Sequence, residues 1–213
     1  MPNGGNVGES SLFLTRILDV LCGGGDKIAF AHRSRSMSYQ ETFDTLRRLH
    51  ATLKSEGISP GQTVVITGGN MPETILLQIA AQLRGAKAVH VDQCPFDEVA
   101  PDHVLSSDPD GPLLLASNGA KTGEADIVMP AAVETLFLSK DAKPVSYSEA
   151  YENLARTCAP NPEGPQQVLL IAPMSHPIGN RITVKALLAG DTVVLHERRP
   201  EAVPTGSATP PAR

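Results

Sequence analysis

The residues best placed to do chemistry lie late in the chain, in Ala172-Pro173-Met174-Ser175-His176. His176, with Ser175 before it, follows the short apolar run 168–172, which reads as a strand. In α/β sheets ligands collect at the carboxyl ends of strands. An imidazole placed there can bind a carboxylate or act as a general base, and Ser175 joins it as the second catalytic candidate. The same histidine serves equally well packed into the core or capping the next helix, and the sequence leaves both readings open. Lys143 could hold an anion or be a solvated surface cation. His90 and Asp92 sit two apart on a strand and so face one side, but two ligands do not make a metal site, and none is expected. Cys94 has no base near it in sequence and reads as a small buried hydrophobe. Gly68-Gly69-Asn70 resembles a weak anion nest, although its simpler role is a tight strand-to-helix turn.

The elements around these residues follow from periodicity. Leu12, Phe13, Ile17, Leu18 and Leu21 recur at helical spacing until Gly23-Gly24-Gly25 stops them. Residues 27–32 read as a strand. Ser38-Tyr39-Gln40-Glu41 forms a capping box opening a helix with Phe43, Leu46, Leu49 and Leu53 on one face. A strand at 62–67 precedes a helix that begins at Pro72, where a missing N–H costs least, and a further strand covers 88–91. Four prolines among five acidic residues make 94–112 an irregular connection. Strands follow at 112–116 and 134–138, and Ser146-Tyr147-Ser148-Glu149 reads as a second capping box. A strand at 167–172, a helix at 179–189 and a strand at 191–196 complete the pattern. Alternating strands and helices specify an α/β fold, a mainly parallel sheet flanked by helices. The expected organisation is a flexible N-terminus at 1–8, one domain at 9–199 and a disordered Pro-rich tail at 200–213.

Composition narrows the function classes. The 213 residues carry 18 Lys and Arg against 23 Asp and Glu, a net charge of −5, with no basic run. Nucleic acid and anionic membranes are therefore not expected partners. No apolar stretch approaches the length of a membrane span. The cysteines, Cys22, Cys94 and Cys158, are odd in number without C-x-x-C spacing and read as free thiols in a reducing, cytoplasmic setting.

Asp26-Lys-Ile-Ala-Phe, Met37-Ser-Tyr-Gln-Glu, Gly57-Ile-Ser-Pro-Gly-Gln-Thr-Val-Val, Asn70-Met-Pro-Glu73 and Arg84-Gly-Ala-Lys-Ala-Val come in an order and spacing that resembles the adenylate-forming ligases. Later, Ala172-Pro-Met-Ser-His176 and Ala186-Leu-Leu-Ala-Gly-Asp-Thr-Val-Val-Leu195 resemble the same family, in wording closest to its aryl-acid branch. The resemblance covers 26–94 and 134–199 and implies the front part of that family's N-terminal domain.

The departures point away from the family's activity. Its phosphate loop is rich in Ser, Thr and Gly and ends in Pro-Lys, so that backbone amides can close around phosphate. Here Leu138-Ser-Lys-Asp-Ala-Lys-Pro-Val145 is shorter, has no glycine and carries Asp141. The resemblance implies that Ser139 and Lys143 are remnants of that loop and candidate ligand-binding residues. In the aryl-acid branch an Asn after the histidine helps place the substrate, whereas this chain has Pro177. The chain is also less than half the family's usual length, so the adenine, ribose, hinge and catalytic-lysine motifs are expected to be missing. The resulting expectation is a repurposed ligase-like protein with no cofactor and no ATP-dependent adenylation. It would bind an aryl or acyl small molecule and could catalyse an ATP-independent cyclisation, condensation or transfer. The alternatives are a non-catalytic scaffold or regulator of a full-length ligase or carrier-protein machinery, and one half of a split ligase. A homodimer or a protein partner is expected to cover the face that the shorter chain exposes.

Overall fold

The computed structural model describes residues 10–32, 35–90, 100–107, 114–117, 134–138 and 144–196. The N-terminus at 1–8 and the tail at 200–213 lie outside them. The order is α1 (Leu12–Gly23), β1 (Ile28–His32), β2 (Arg35–Ser38), α2 (Tyr39–Ser55), β3 (Thr63–Thr67), α3 (Pro72–Leu83), β4 (Lys87–His90), β5 (His103–Ser106), β6 (Leu114–Ser117), β7 (Thr135–Leu138), β8 (Pro144–Ser146), α4 (Ser148–Thr157), β9 (Gln167–Leu170), α5 (Pro177–Ala189) and β10 (Thr192–Leu195).

The strands form two sheets where the sequence suggested one. One has the order β2-β1-β10-β9 and the other β6-β5-β3-β4-β7-β8. Both are parallel inside, with antiparallel strands β2, β6 and β8 at edges. Helices fill the space between: α2 and α5 pack on the smaller sheet, α3 packs on β3 and β4, and α2 lies against α3. One apolar core therefore runs from Phe30 and Val193 through Leu46, Leu76 and Leu187 to Val64 and Ile66. Its middle member, α3, is buried at every residue except Glu73, as a helix apolar all round should be.

The capping box at the start of α2 forms as expected. Ser38 Oγ accepts Glu41 N–H, and Glu41 accepts Ser38 N–H at 2.7 Å. The second box does not form. Ser146 is drawn into β8 opposite Leu136, Tyr147 N–H goes to Thr135 O, and α4 begins one residue late on Tyr147 without a side-chain cap. The connection expected over 94–112 contains β5, whose four residues pair with β3. Its flanking Pro101 and Asp108 masked so short a strand in the sequence.

β9 is also unlike its expected buried strand. It lies at the edge of the smaller sheet, with Leu169 59 % and Ile171 60 % exposed.

Candidate functional site

The loop between β9 and α5 carries Ser175 and His176, and its shape is set by a distant asparagine. Asn70, just before α3, accepts Met174 N–H at 2.8 Å through Oδ1. Its Nδ2 donates to Ala172 O and His196 O, both at 3.2 Å. Buried main-chain groups need such partners, so one side chain fixes the loop across a hundred residues of sequence. The rest of that motif builds the helix start: Pro72 stands in its first turn, and Glu73 pairs with Arg35 at 2.8 Å. The first turn of α5 presses on the loop from the other side. A Cβ on Gly179 would lie 2.1 Å from Pro173 O and 2.7 Å from Ala172 O, so only glycine permits this approach.

His176 is the N-cap of α5, and its Nδ1 accepts Ile178 N–H at 3.2 Å. The ring is exposed and Ser175 is nearly buried, at 9 %. The ring's hydrogen bond is to its own helix rather than to the Ser175 hydroxyl, so the two are neighbours in sequence without forming a nucleophile–base pair. The cap also fixes the chemistry of the neutral ring. A lone pair on Nδ1 places the proton on Nε2, which makes the other ring nitrogen a donor. Ser139 and Lys143 lie outside the described residues, as do Asp92 and Cys94. Cys22 and Cys158 are free thiols.

Gly68-Gly69-Asn70 works as a turn. Gly68 has φ +136°, and the Ser107 hydroxyl occupies the place of its missing Cβ. Asn70 is spent on the loop, so the three residues do not form an open nest. No group of three or more His, Cys, Asp or Glu side chains that could hold a metal occurs among the described residues.

His90 lies inside the protein. Its Nε2 is 2.6 Å from Gln78 Oε1, and its ring stacks on Phe137 with centroids 5.1 Å apart. Burial pushes its pKa down to about 3, so it is neutral at ordinary pH. Asn180 joins it: Nδ2 donates to Gln78 Oε1 at 2.7 Å and to Met174 O at 3.1 Å, while Oδ1 accepts the Tyr151 hydroxyl at 2.5 Å. Sequence reasoning missed this set. The available signal was Gln78 and Gln82, one turn apart in the apolar run ILLQIAAQL, where each amide needs an internal partner. Gln82 finds Thr135.

An open cleft of about 420 Å³, lined by Val20, Lys27, Tyr39, Pro160 and Leu188 among others, is bordered by the carboxyl ends of α1 and α5. Ser175 and His176 precede the opposite end of α5 and do not line it.

Comparison with known proteins fits this architecture. Residues 22–99 match the family model described as AMP-binding enzyme, which takes in the first stretch of sequence resemblance. No curated protein matches the sequence. Among solved structures, O-succinylbenzoate coenzyme A synthetase from Bacillus subtilis superposes with a TM-score of 0.65 at 17% identity, over 90% of this chain and 46% of that one. The NpsA N-terminal subdomain from Klebsiella oxytoca, in complex with 3-hydroxyanthranilyl-AMSN, gives 0.69 at 18%, over 89% and 54%. An artificially fused adenylation–PCP di-domain, NpsA-ThdA, from the same organism gives 0.69 at 17%, over 89% and 40%. The chain thus spans about half the length of the first two proteins, and identities this low speak for the fold alone. Residues 22–99 thus match an AMP-binding enzyme family model, within an α/β fold that matches the NpsA N-terminal subdomain.

Proposed function

We propose that this chain binds the carboxylate or carbonyl end of an aryl or acyl small molecule at loop 171–176, with His176 as ligand donor, and does not itself adenylate that acid with ATP. The observation that carries this reading is the cap on α5. With Nδ1 holding Ile178 N–H, the exposed ring keeps Nε2–H as its donor, on a loop that Asn70 fixes. A donor suits an acceptor ligand. A general base would need the other tautomer and would lose the cap, so ligand binding is favoured over base catalysis. The glycine-free segment 138–145, with its Asp141, supports the absence of ATP chemistry. Free thiols support a reducing, cytoplasmic location.

The test separates the ring's two roles. His176→Asn keeps an N-cap of the best type, and its shorter amide carries no donor at the Nε2 position, whereas His176→Ala removes cap and donor together. Thermal-shift titrations with salicylate, a benzoyl thioester and ATP are run on the three proteins. The expected result is stabilisation of the wild type by an aryl or acyl ligand and not by ATP, lost in both variants, with only the Ala variant melting earlier unliganded. Unchanged binding by His176→Asn sinks the assignment, and stabilisation by ATP sinks the claim about adenylation.

A second reading, docking on another protein or a second copy, is favoured by exposed Leu169 and Ile171 on and just after β9, an edge strand among the described residues, and by exposed Ile178 at the start of α5. An uncharged edge strand of this kind is a template for pairing. Light scattering at micromolar concentration tests it: a clean monomer of 22.5 kDa counts against the second copy.

A further inference from the structure

Loop 171–176 is clamped by two asparagines, and the second connects it to a part of the protein that never touches the ligand. Asn180, one turn into α5, is fully buried. A main-chain carbonyl can only accept, so its bond to Met174 O forces Nδ2 toward the loop and Oδ1 toward Tyr151. Tyr151 must then donate, and Gln78 Oε1 receives both Asn180 Nδ2–H and, in the same sense, His90 Nε2–H. Side chains from α3, β4, α4 and α5 thus share one direction of donation, fixed by the carbonyl that precedes Ser175 and His176. On its other side α4 holds the start of α1: Glu152 accepts Ser11 Oγ–H at 2.6 Å and the Phe13 amide at 3.3 Å.

We infer that Tyr151 and Asn180 are positioning residues for His176, setting the β9–α5 loop through Met174 O and making its geometry depend on the seat of α4. This rests on the reading of His176 as a ligand donor. The alternative is that these residues only add stability. Buried hydrogen bonds at the two ends of α5 separate the cases. Tyr39 is also fully buried, and its hydroxyl donates to Leu187 O at 3.2 Å and Asp191 O at 2.7 Å, at the end of α5 far from His176. Tyr39→Phe is therefore a matched loss without a path to the loop.

The experiment compares Tyr151→Phe, Asn180→Leu and Tyr39→Phe. The readouts are the ring resonances of His176 in histidine-labelled protein, assigned with His176→Asn, and the affinity for salicylate. Tyr151→Phe keeps the ring that packs on Phe13 at 5.3 Å, so the fold is retained. It and Asn180→Leu are expected to move the His176 signals and to weaken salicylate about threefold to tenfold, the value of one hydrogen bond. Tyr39→Phe should do neither. Unmoved His176 signals in both test variants overturn the inference, as do equal changes in Tyr39→Phe, which would mark general loosening. If the wild type binds no aryl acid while only the test variants move the ring, the ligand reading fails and the positioning role stands.

Discussion

The buried histidine makes a prediction about acid stability whose size follows from the structure. His90 is 1 % exposed; its Nε2 is engaged with Gln78, and its Nδ1 has no hydrogen-bond partner among the described residues. Burial holds its folded pKa near 3, against 6.5 for the unfolded chain. The folded value is the lower one, so the unfolded chain takes up the proton first as pH falls. Stability from this group is fully present above pH 6.5 and is lost progressively down to about pH 3. One proton contributes about 1.4 kcal/mol per pH unit, hence about 2 kcal/mol lost by about pH 5. That figure requires only that the folded pKa lie well below 5. His50 and His103 are lowered in the same direction by burial, with Arg84 and Lys54 adding for His50 and Asp102 and Glu56 opposing for His103; both are present in wild type and variant alike and cancel in the comparison. The assay is urea denaturation at pH 7 and pH 5 for the wild type and for His90→Gln, an uncharged residue that can still donate to Gln78. The wild type should lose about 2 kcal/mol more than the variant over that interval. The same pH dependence in both proteins would refute the argument.

The contact at Gly179 and the two serine-led helix starts give further tests. Gly179→Ala drives a methyl into Pro173 O and should cost about 1–3 kcal/mol in urea midpoint analysis while disturbing the His176 ring signals; an unaffected midpoint would show that the loop gives way freely. Ser38→Ala should lower stability by about 1 kcal/mol, because it removes a formed capping box. Ser146→Ala should change it by much less, since among the described residues that hydroxyl bonds only Ser148, at a strand end. Equal losses from the two serines would contradict the assignment of α4's start.

The extent to which the sequence was readable depended on how local each signal was. Helices α2 and α3 follow from residues three and four apart, and the Ser38 box and Pro72 mark their starts without help from the rest of the chain. The Ser146 box has the same Ser-Tyr-x-Glu form, yet its serine is claimed by a neighbouring strand: pairing with Leu136, ten residues back, overrides the local cap. β5 failed for a related reason, since four residues between Pro101 and Asp108 become a strand only because β3 offers them a ladder. β9 looked buried because five apolar residues run together, but burial of a strand depends on what lies beside it, and among the described strands β9 has only β10 as a neighbour.

His176 shows the same limit in chemical terms. Its type and its place after a strand were legible, and so were the two roles open to it. Which role it takes depends on a proton whose location is set by the next helix. Pro177 supplies no N–H at the first position of α5, so Ile178 N–H is the first amide needing a partner, and His176 Nδ1 accepts it. The same arrangement removes donors from the helix end: one amide is absent and the next is occupied. An anionic ligand approaching α5 therefore meets the imidazole Nε2–H rather than a ring of free backbone amides. In a site built this way, affinity for an acid should follow the imidazole and the two asparagines that hold its loop, and should owe little to the helix dipole. Replacing Pro177, which restores an amide to the helix end, is the change that would shift that balance.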